Sequence, residues 1–421
     1  MKIRKTSSYC EFALAALNQH VFDLLYYDQS NLCAKQFNYL PRPTKWARMG
    51  SCKIKLIKVS SPIFVYLWSF ILCYIFLFIK HILFAVKVKK FSFRKNEVKK
   101  NIAYVTCDHS FKTIIKEYNE TDMTWIAPPN VLINKKLAES AHIKITNSLS
   151  LLCLSEIFWT FIDCVKIHAK IVSKQGAKIG LQSYSLPSWC VMRRVTYKMS
   201  PKRIVIAEHH DRWAVLADCY AYSVADSVNK CEINLVQHGL EFESTYEFIS
   251  KNCCEKGLPY KLRCVTNIHI FNDEQLGIFL RNIINNDNRA KENFKTHYMS
   301  NEIILNKINS NKKTILIIGH VICEDFHIML QQELLLNNDV ALYYKPHPTC
   351  KASLKAENAM WIFIDDREFY PLVDLVVGYP STLVFEYSKH GVPSVMHHMK
   401  ADARNVEKCL EEIAHIINKK N

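Results

Sequence analysis

A chain of 421 residues, 49% hydrophobic and 22% charged, can bury a sizeable core; it is long for one domain, suits two or three, and lies outside the composition of disordered proteins. Lys plus Arg number 55 against 39 for Asp plus Glu, a formal net charge of +16. Nine glycines exclude collagen-like and glycine-linker architectures, and no repeat of about 20–50 residues marks a solenoid. The sixteen cysteines are scattered, with only Cys253 and Cys254 adjacent. That usage fits reduced thiols in a cytosolic compartment rather than a short disulfide scaffold, and it offers no zinc-type ligand spacing. The basic start Met1–Lys5 runs into polar residues, so no secretory apolar core follows it.

The charge excess is local. Ser30 to Asn96 contains no Asp or Glu but thirteen basic residues: Lys35, Arg42, Lys45, Arg48, Lys53, Lys55, Lys58, Lys80, Lys87, Lys89, Lys90, Arg94 and Lys95. Within it runs the uncharged stretch Pro62–Ile79, followed by the mostly apolar His81–Val86. Ser61 as N-cap with Pro62 at the first helical position predicts a helix starting there. Its uncharged part reaches about 27 Å, the short limit for a bilayer span. With both flanks basic, a helix that dips into one leaflet or lies along it against anionic lipid is the expected arrangement, and the buried core helix of a soluble domain is the alternative. Trp68, Tyr66 and Tyr74 suit an interfacial position. Nucleic acid is not the expected partner, because the aromatics are segregated from the charges.

From residue 101 short apolar runs alternate with helical ones. The predicted strands are Ile102–Thr106, Arg203–Ala207 and Asn234–Gln237, then Thr314–Ile318, Ala341–Lys345, Trp361–Ile364 and Leu375–Val377. Predicted helices include Arg212–Asn229, Glu324–Leu335 and Asn405–Asn418, the last with Val406, Leu410, Ile413 and Ile417 on one face. Alternation of this kind implies a doubly wound α/β fold. The Asn- and Lys-rich stretch Asn282–Asn311 reads as an interdomain connection. The expected divisions are an N-terminal region 1–100, an α/β domain 101–300 and a second α/β domain 301–421.

Three constellations follow predicted strands, where open α/β sheets put ligands. Lys345-Pro346-His347-Pro348 holds an imidazole between two prolines that fix the backbone and remove amide donors, with Lys345 adding a point charge. His347 there can donate to a phosphate or act as general acid to a leaving phosphate oxygen. Gly378-Tyr379-Pro380-Ser381-Thr382 precedes an apolar helix, so Ser381, Thr382 and free N–H groups can bind a phosphate; an ordinary N-cap is the simpler alternative. Gln237-His238-Gly239-Leu240-Glu241 and Glu208-His209-His210-Asp211 end two earlier strands. Glu208, Asp211, His238 and Glu241 compete as a general base, and the sequence does not choose among them. No metal site is expected, since His209 and His210 lack a partner at ligand spacing. Asp365-Asp366-Arg367-Glu368 reads as a solvated turn. No GxGxxG or Walker A pattern supports a dinucleotide oxidoreductase or P-loop reading.

Between about residues 200 and 390 these motifs resemble a family group. Lys345-Pro346-His347-Pro348 paired with Tyr379-Pro380-Ser381-Thr382 looks like the HP and S/T motifs of bacterial GT-B sialyltransferases and polysialyltransferases. Gln237-His238-Gly239 is similar to an element of CDP-glycerol glycerophosphotransferases, and capsule Kdo transferases look alike at this level. The resemblance implies a GT-B-like pair of Rossmann-type domains facing a cleft, with no cofactor and no metal. His347 would contact the donor phosphate, with Lys345, Gly378, Ser381 and Thr382 around it, and an N-terminal-domain residue would be the base. The acidic base motif of those families is absent as such. The implied partners are a nucleotide-sugar donor, a lipid-linked or oligosaccharide acceptor and an anionic membrane surface, at the cytoplasmic face of a bacterial inner membrane. The alternatives are polyol phosphate transfer from CDP-glycerol, nucleotide-sugar epimerisation, and a non-catalytic polysaccharide-binding scaffold.

Overall fold

Strands buried on both faces read as continuous apolar runs, and such runs here build two parallel sheets. The computed structural model describes residues 7–46, 51–91, 99–118, 122–226, 230–285, 294–299, 303–337, 339–347 and 352–419. The chain divides into two compact units. The first contains the described residues up to Tyr27 together with Cys33–Met299; the second contains Asp28–Leu32 and the chain after Met299.

The first unit has seven parallel strands: β1 (Asn101–Tyr104), β2 (Thr124–Ala127), β3 (Ile145–Asn147), β4 (Arg203–Ile206), β5 (Glu232–Val236), β6 (Val265–Ile270) and β7 (Lys295–Tyr298). Their order, β3-β2-β1-β4-β5-β6-β7, is the Rossmann order extended by one strand. Chain direction across the sheet reverses between β1 and β4, which puts a crevice outside their carboxyl ends. The second unit carries a small parallel pair, β8 (Leu305–Asn306) with β12 (Tyr370–Pro371). Its main sheet consists of β9 (Lys313–Ile318), β10 (Val340–Lys345), β11 (Ile362–Phe363), β13 (Leu375–Gly378) and β14 (Ser394–Met396). The order β11-β10-β9-β13-β14 is again 3-2-1-4-5 by the sheet's own count, so its crevice lies between β9 and β13. The chain thus contains two Rossmann-type α/β units, as its pattern implies.

Strands without an apolar run escape the sequence reading. β6 (Val-Thr-Asn-Ile-His-Ile) is interrupted by polar residues whose needs are met across the sheet. Asn267 donates to Asn234 Oδ1 at 2.8 Å, and His269 lies 2.6 Å from the Tyr118 hydroxyl and 3.0 Å from Glu117 Oε2. β7, inside the expected connection Asn282–Asn311, is an edge strand with Lys295, His297 and Tyr298 exposed, which is why it looks polar.

Most of the N-terminal hundred residues also belong to the first unit. The helix Ser8–Gln29 buries Phe12, Ala15, Ala16, Val21 and Phe22 in its core. Glu11, 1% exposed, accepts from Arg193 Nε at 2.6 Å, Arg193 Nη2 at 3.2 Å and the Tyr197 hydroxyl at 3.0 Å, so its charge is paired and fully bonded.

The apolar helix starts earlier than expected. It runs without a break through Ser51–Leu67, a π-turn at Trp68–Leu72, and Cys73–Phe91. Pro62 therefore sits inside it and cannot supply the N–H owed to the Lys58 carbonyl. Ser61 Oγ donates to that carbonyl at 3.0 Å, while Asn38 Nδ2 donates to Ser61 Oγ at 2.9 Å. The expected N-cap is instead a repair of the proline's missing bond. Cys52–Lys89 is long and apolar enough to cross a membrane by length and composition, and only 17% of its most apolar eighteen residues are buried. Ser61, Ser69, Cys73, Leu77, His81, Phe84 and Val88 face inward onto the first unit. Leu56, Val59, Ile63, Tyr66, Phe70, Ile75, Phe78, Ile82 and Val86 are exposed on the other side, with Leu154, Phe158 and Trp159 exposed at the start of the helix Leu154–Gln175. Trp68 departs from the interfacial expectation: it is half-buried, its indole N–H bonded to the Gly180 carbonyl at 3.2 Å. Arg48, Arg94 and Lys95 lie outside the described residues, as do the side chain of Lys90 and Pro348.

Candidate functional site

In the second unit three neighbouring strands end together. β9 continues into Gly319-His320, β10 ends in Lys345 before Pro346-His347, and β13 ends in Gly378 before Tyr379-Pro380-Ser381. The His320 ring bridges the outer two loops, its centroid 5.3 Å from that of His347 and 5.4 Å from that of Tyr379. His320 Nδ1 accepts from the Ile322 N–H at 3.2 Å, which puts the ring proton on Nε2 as a donor. Gly319 is demanded by packing: a Cβ there would lie 2.2 Å from the Tyr344 hydroxyl. Gly378 likewise allows β13 to approach Ile318 and Val384, at 3.1 and 3.2 Å from an added Cβ. Its conformation serves close packing, and its carbonyl accepts from the His397 N–H at 3.0 Å.

Ser381 is the N-cap of the helix Thr382–Lys389, its side chain accepting from the Val384 N–H at a long 3.4 Å. Thr382 is the first residue of that helix. The helix start, with its partial positive charge, thus stands beside Tyr379 on the side of the crevice opposite His347. Lys345 is not brought into this group. It is 7% exposed, its ammonium donating to the Asp366 and Phe369 carbonyls at 2.8 and 2.9 Å, 4.7 Å from the Tyr370 ring centre. Burial pushes its pKa down to about 8. Instead of offering a point charge to phosphate, it pins the Asp365–Glu368 turn, whose four residues are exposed.

His320 and Gly319 were absent from the sequence-derived site. The signal was present, since the strand-end rule applied to Thr314–Ile318 points to Gly319-His320 as directly as it points to His347.

In the first unit the four base candidates gather at the carboxyl ends of β4 and β5, next to the crevice beside β1. Thr106, after β1, donates to Glu208 Oε1 across the β1–β4 reversal. Burial raises the Glu208 carboxyl above its ordinary value, against the Thr106 bond and the Arg212 charge. Asp211 is occupied as N-cap of the helix Arg212–Val224, its Oδ1 accepting from the Trp213 and Ala214 amides at 2.7 and 3.1 Å. Burial, then the Glu208 charge, pushes it up to about 7.

His238 Nδ1–H donates to the Ala207 carbonyl, which makes Nε2 the basic atom of the ring. Burial lowers its pKa, so the ring is neutral at pH 7. Glu241 accepts from His209 Nδ1 at 3.0 Å and from the Tyr246 hydroxyl at 2.8 Å, so it orients neighbours. His210 stacks on Phe22 at 3.6 Å, and its carbonyl accepts from Asn18 Nδ2 at 3.1 Å.

The loop that carries His238 and Glu241 is held by two glutamines. Gln237 Nε2 donates to Gln275 Oε1 at 2.6 Å and to the Gly239 carbonyl at 2.8 Å; Gln275 in turn accepts from the Glu241 N–H at 2.8 Å and donates to the Glu241 carbonyl at 2.9 Å. Gln275, on the helix Asp273–Asn282, gave no signal in the sequence because its role exists only once β5 and β6 are side by side.

Compared with models of known protein families the sequence matches none, and no curated protein matches it. Among solved structures it is similar to a UDP-GlcNAc 2-epimerase from Neisseria meningitidis bound to UDP-GlcNAc, at 11% identity and a TM-score of 0.42 over 76% of this chain and 91% of that one. An S. aureus MnaA–UDP co-structure matches at 13% identity and 0.39, over 75% and 88%. The glycosyltransferase SnogD from Streptomyces nogalater matches at 10% identity and 0.37, over 73% and 84%. At this level of superposition the likeness adds nothing to what the strand orders of the two sheets establish.

Proposed function

We propose that the chain is a membrane-associated glycosyltransferase of bacterial surface-polysaccharide synthesis that uses a nucleotide-activated, CMP-linked sugar. The observation that carries this reading is the gathering of His320, His347 and the Ser381-capped helix start outside the carboxyl ends of β9, β10 and β13. Imidazole donors and helix N–H groups around one crevice form an anion site, and stabilising charge on the departing phosphate is usually the largest catalytic term. In the proposed reaction the bond from the anomeric carbon to the donor phosphate oxygen breaks and a bond to an acceptor hydroxyl oxygen forms. The hydroxyl proton passes to a general base, and His347 donates to the leaving phosphate.

The long helix supports action at a membrane. Its inner face is packed on the first unit, so its outer apolar face would lie in one leaflet, with Lys53, Lys55, Lys58, Lys87 and Lys89 near anionic headgroups. A lipid-linked acceptor would reach the enzyme from the same surface.

A thermal-shift panel of CMP, CDP, UDP and GDP tests the donor site, since specific binding raises the unfolding temperature by mass action. CMP is expected to stabilise most. No shift with any nucleotide would overturn the reading. Release of an epimerised nucleotide sugar without acceptor would replace it with epimerisation, and phosphate label retained in the product would replace it with polyol phosphate transfer.

A further inference from the structure

A second cluster of chemistry-bearing side chains lies in the same unit but within its interior. Cys323, His327 and His397 are all buried, and one ligand-capable atom from each lies within 4.8 Å of the others. Cys323 immediately precedes the helix Glu324–Asn337 and His327 lies in its first turn, with the His327 N–H bonded to the Cys323 carbonyl at 3.0 Å. A spacing of four residues puts both side chains on one helix face. His397 arrives from the end of β14, seventy residues later in sequence.

The hydrogen bonding prepares a lone pair. His397 Nδ1 donates to the His398 carbonyl at 3.0 Å, which fixes the tautomer and leaves Nε2 as a lone pair aimed at His327. The two Nε2 atoms meet at 2.8 Å. That contact needs a proton on His327 Nε2, so an ion bound there would shift this proton to His327 Nδ1, which is buried with no hydrogen-bond partner among the described residues. Cys323 Sγ donates to the His320 carbonyl at 3.3 Å. Phe326 packs with its ring centre 4.7 Å from that of His397.

We infer that Cys323, His327 and His397 form a structural zinc site. One thiolate with two imidazoles is the donor set of borderline-soft divalent ions, and zinc takes such sets with about 2.0–2.1 Å to nitrogen and about 2.3 Å to sulfur. Those bond lengths at tetrahedral angles place the two nitrogens about 3.3 Å apart and each about 3.5 Å from the sulfur. Binding therefore needs the imidazoles to part by about 0.5 Å and the thiol to close in. Zinc takes the place of the thiol proton, so one proton is released per ion bound and affinity rises with pH. A fourth position remains for water. The site would staple the start of the helix to the end of β14 directly behind the donor loops, since the His397 N–H is bonded to Gly378.

The test uses the full untagged chain, loaded with zinc, dialysed, and analysed for metal by mass spectrometry, with cobalt(II) substitution as a spectroscopic probe. About one zinc per chain and a thiolate-to-cobalt charge-transfer band are expected. Cys323→Ser and His397→Ala should each weaken retention at least about tenfold. Added zinc should raise the unfolding temperature of the unaltered chain and a chelator should lower it. An unaltered chain that leaves dialysis metal-free with no cobalt band would overturn the site, leaving a hydrogen-bonded Cys–His–His cluster. Metal retained equally by both variants would overturn it as well. The measurement on the unaltered chain decides the matter even where a variant fails to fold, and it stands apart from nucleotide binding.

Discussion

In the proposed reaction His320 and His347 do different work. His347 sits after a proline at the end of β10, placed to donate to the leaving oxygen, whereas His320 bridges His347 and Tyr379 with its ring proton on Nε2. His347→Ala is expected to lower turnover about 10²-fold or more with folding unchanged; steady-state kinetics with a circular-dichroism control measures it. His320→Ala should weaken nucleotide binding as well as turnover, read as loss of the thermal shift. Full activity in both variants would remove the anion site from the mechanism. A second residue-scale expectation concerns pH. His210, half-buried and stacked on Phe22, is held down at about 4 by desolvation, below its ordinary 6.5. The unfolded chain therefore binds its proton first, so this contribution is whole above pH 6.5 and is lost as pH falls through about 4. His210→Phe keeps the stacking and removes the proton, so its stability advantage over the parent should grow between those values. The upper bound is roughly 3 kcal/mol, measured by urea unfolding at several pH values.

Among the elements, the long helix shows how one side chain can hide a helix breaker. Proline inside a helix costs about 3 kcal/mol or more, partly through the lost bond to the carbonyl four residues back. Here Ser61 bonds that carbonyl and Asn38 bonds Ser61, all within 3.0 Å. Ser61→Ala leaves the Lys58 carbonyl and the Asn38 amide unmet, an expected loss of about 1–3 kcal/mol. Adding Pro62→Ala returns the backbone donor and should recover part of it. No effect from Ser61→Ala in denaturant unfolding would mean that the helix starts at Pro62 after all. The same element explains why the sequence misjudged its beginning: Ser-Pro before an apolar run is a start signal by local chemistry, and only the contact with Asn38 turns it into an interior repair.

At the level of the whole molecule, the helix divides its surface between two environments. One side packs Cys73, Leu77, Phe84 and Val88 into the core of the first unit, and the other exposes a continuous apolar stripe bordered by lysines. Exposed apolar area of this kind marks a contact surface. Replacing Lys87 and Lys89 by Gln should weaken binding to anionic vesicles at low salt and leave binding to neutral vesicles unchanged. Replacing Ile75, Phe78 and Ile82 by Ser should weaken both. Unchanged sedimentation with vesicles in the second variant would assign the stripe to something other than lipid.

The α/β class, the strands β1, β4, β5, β9, β10, β11 and β13 and two of the three loops around the second unit's crevice were legible in the sequence, because apolar runs and Pro or Gly at their ends are local properties. Thr314–Ile318 and Leu375–Val377 are apolar whatever surrounds them, and they fold as β9 and β13. Tertiary structure alone decided the rest. The order β11-β10-β9-β13-β14 puts His320 between His347 and Tyr379, turns Lys345 into a buried pin and brings His397 to Cys323, while the adjacency of β5 and β6 in the first unit fixes the loop after Gln237 through Gln275. The physical reason is that a side chain's bonding partners are set by which strands lie side by side, and strand adjacency is a property of the closed sheet rather than of any stretch of chain.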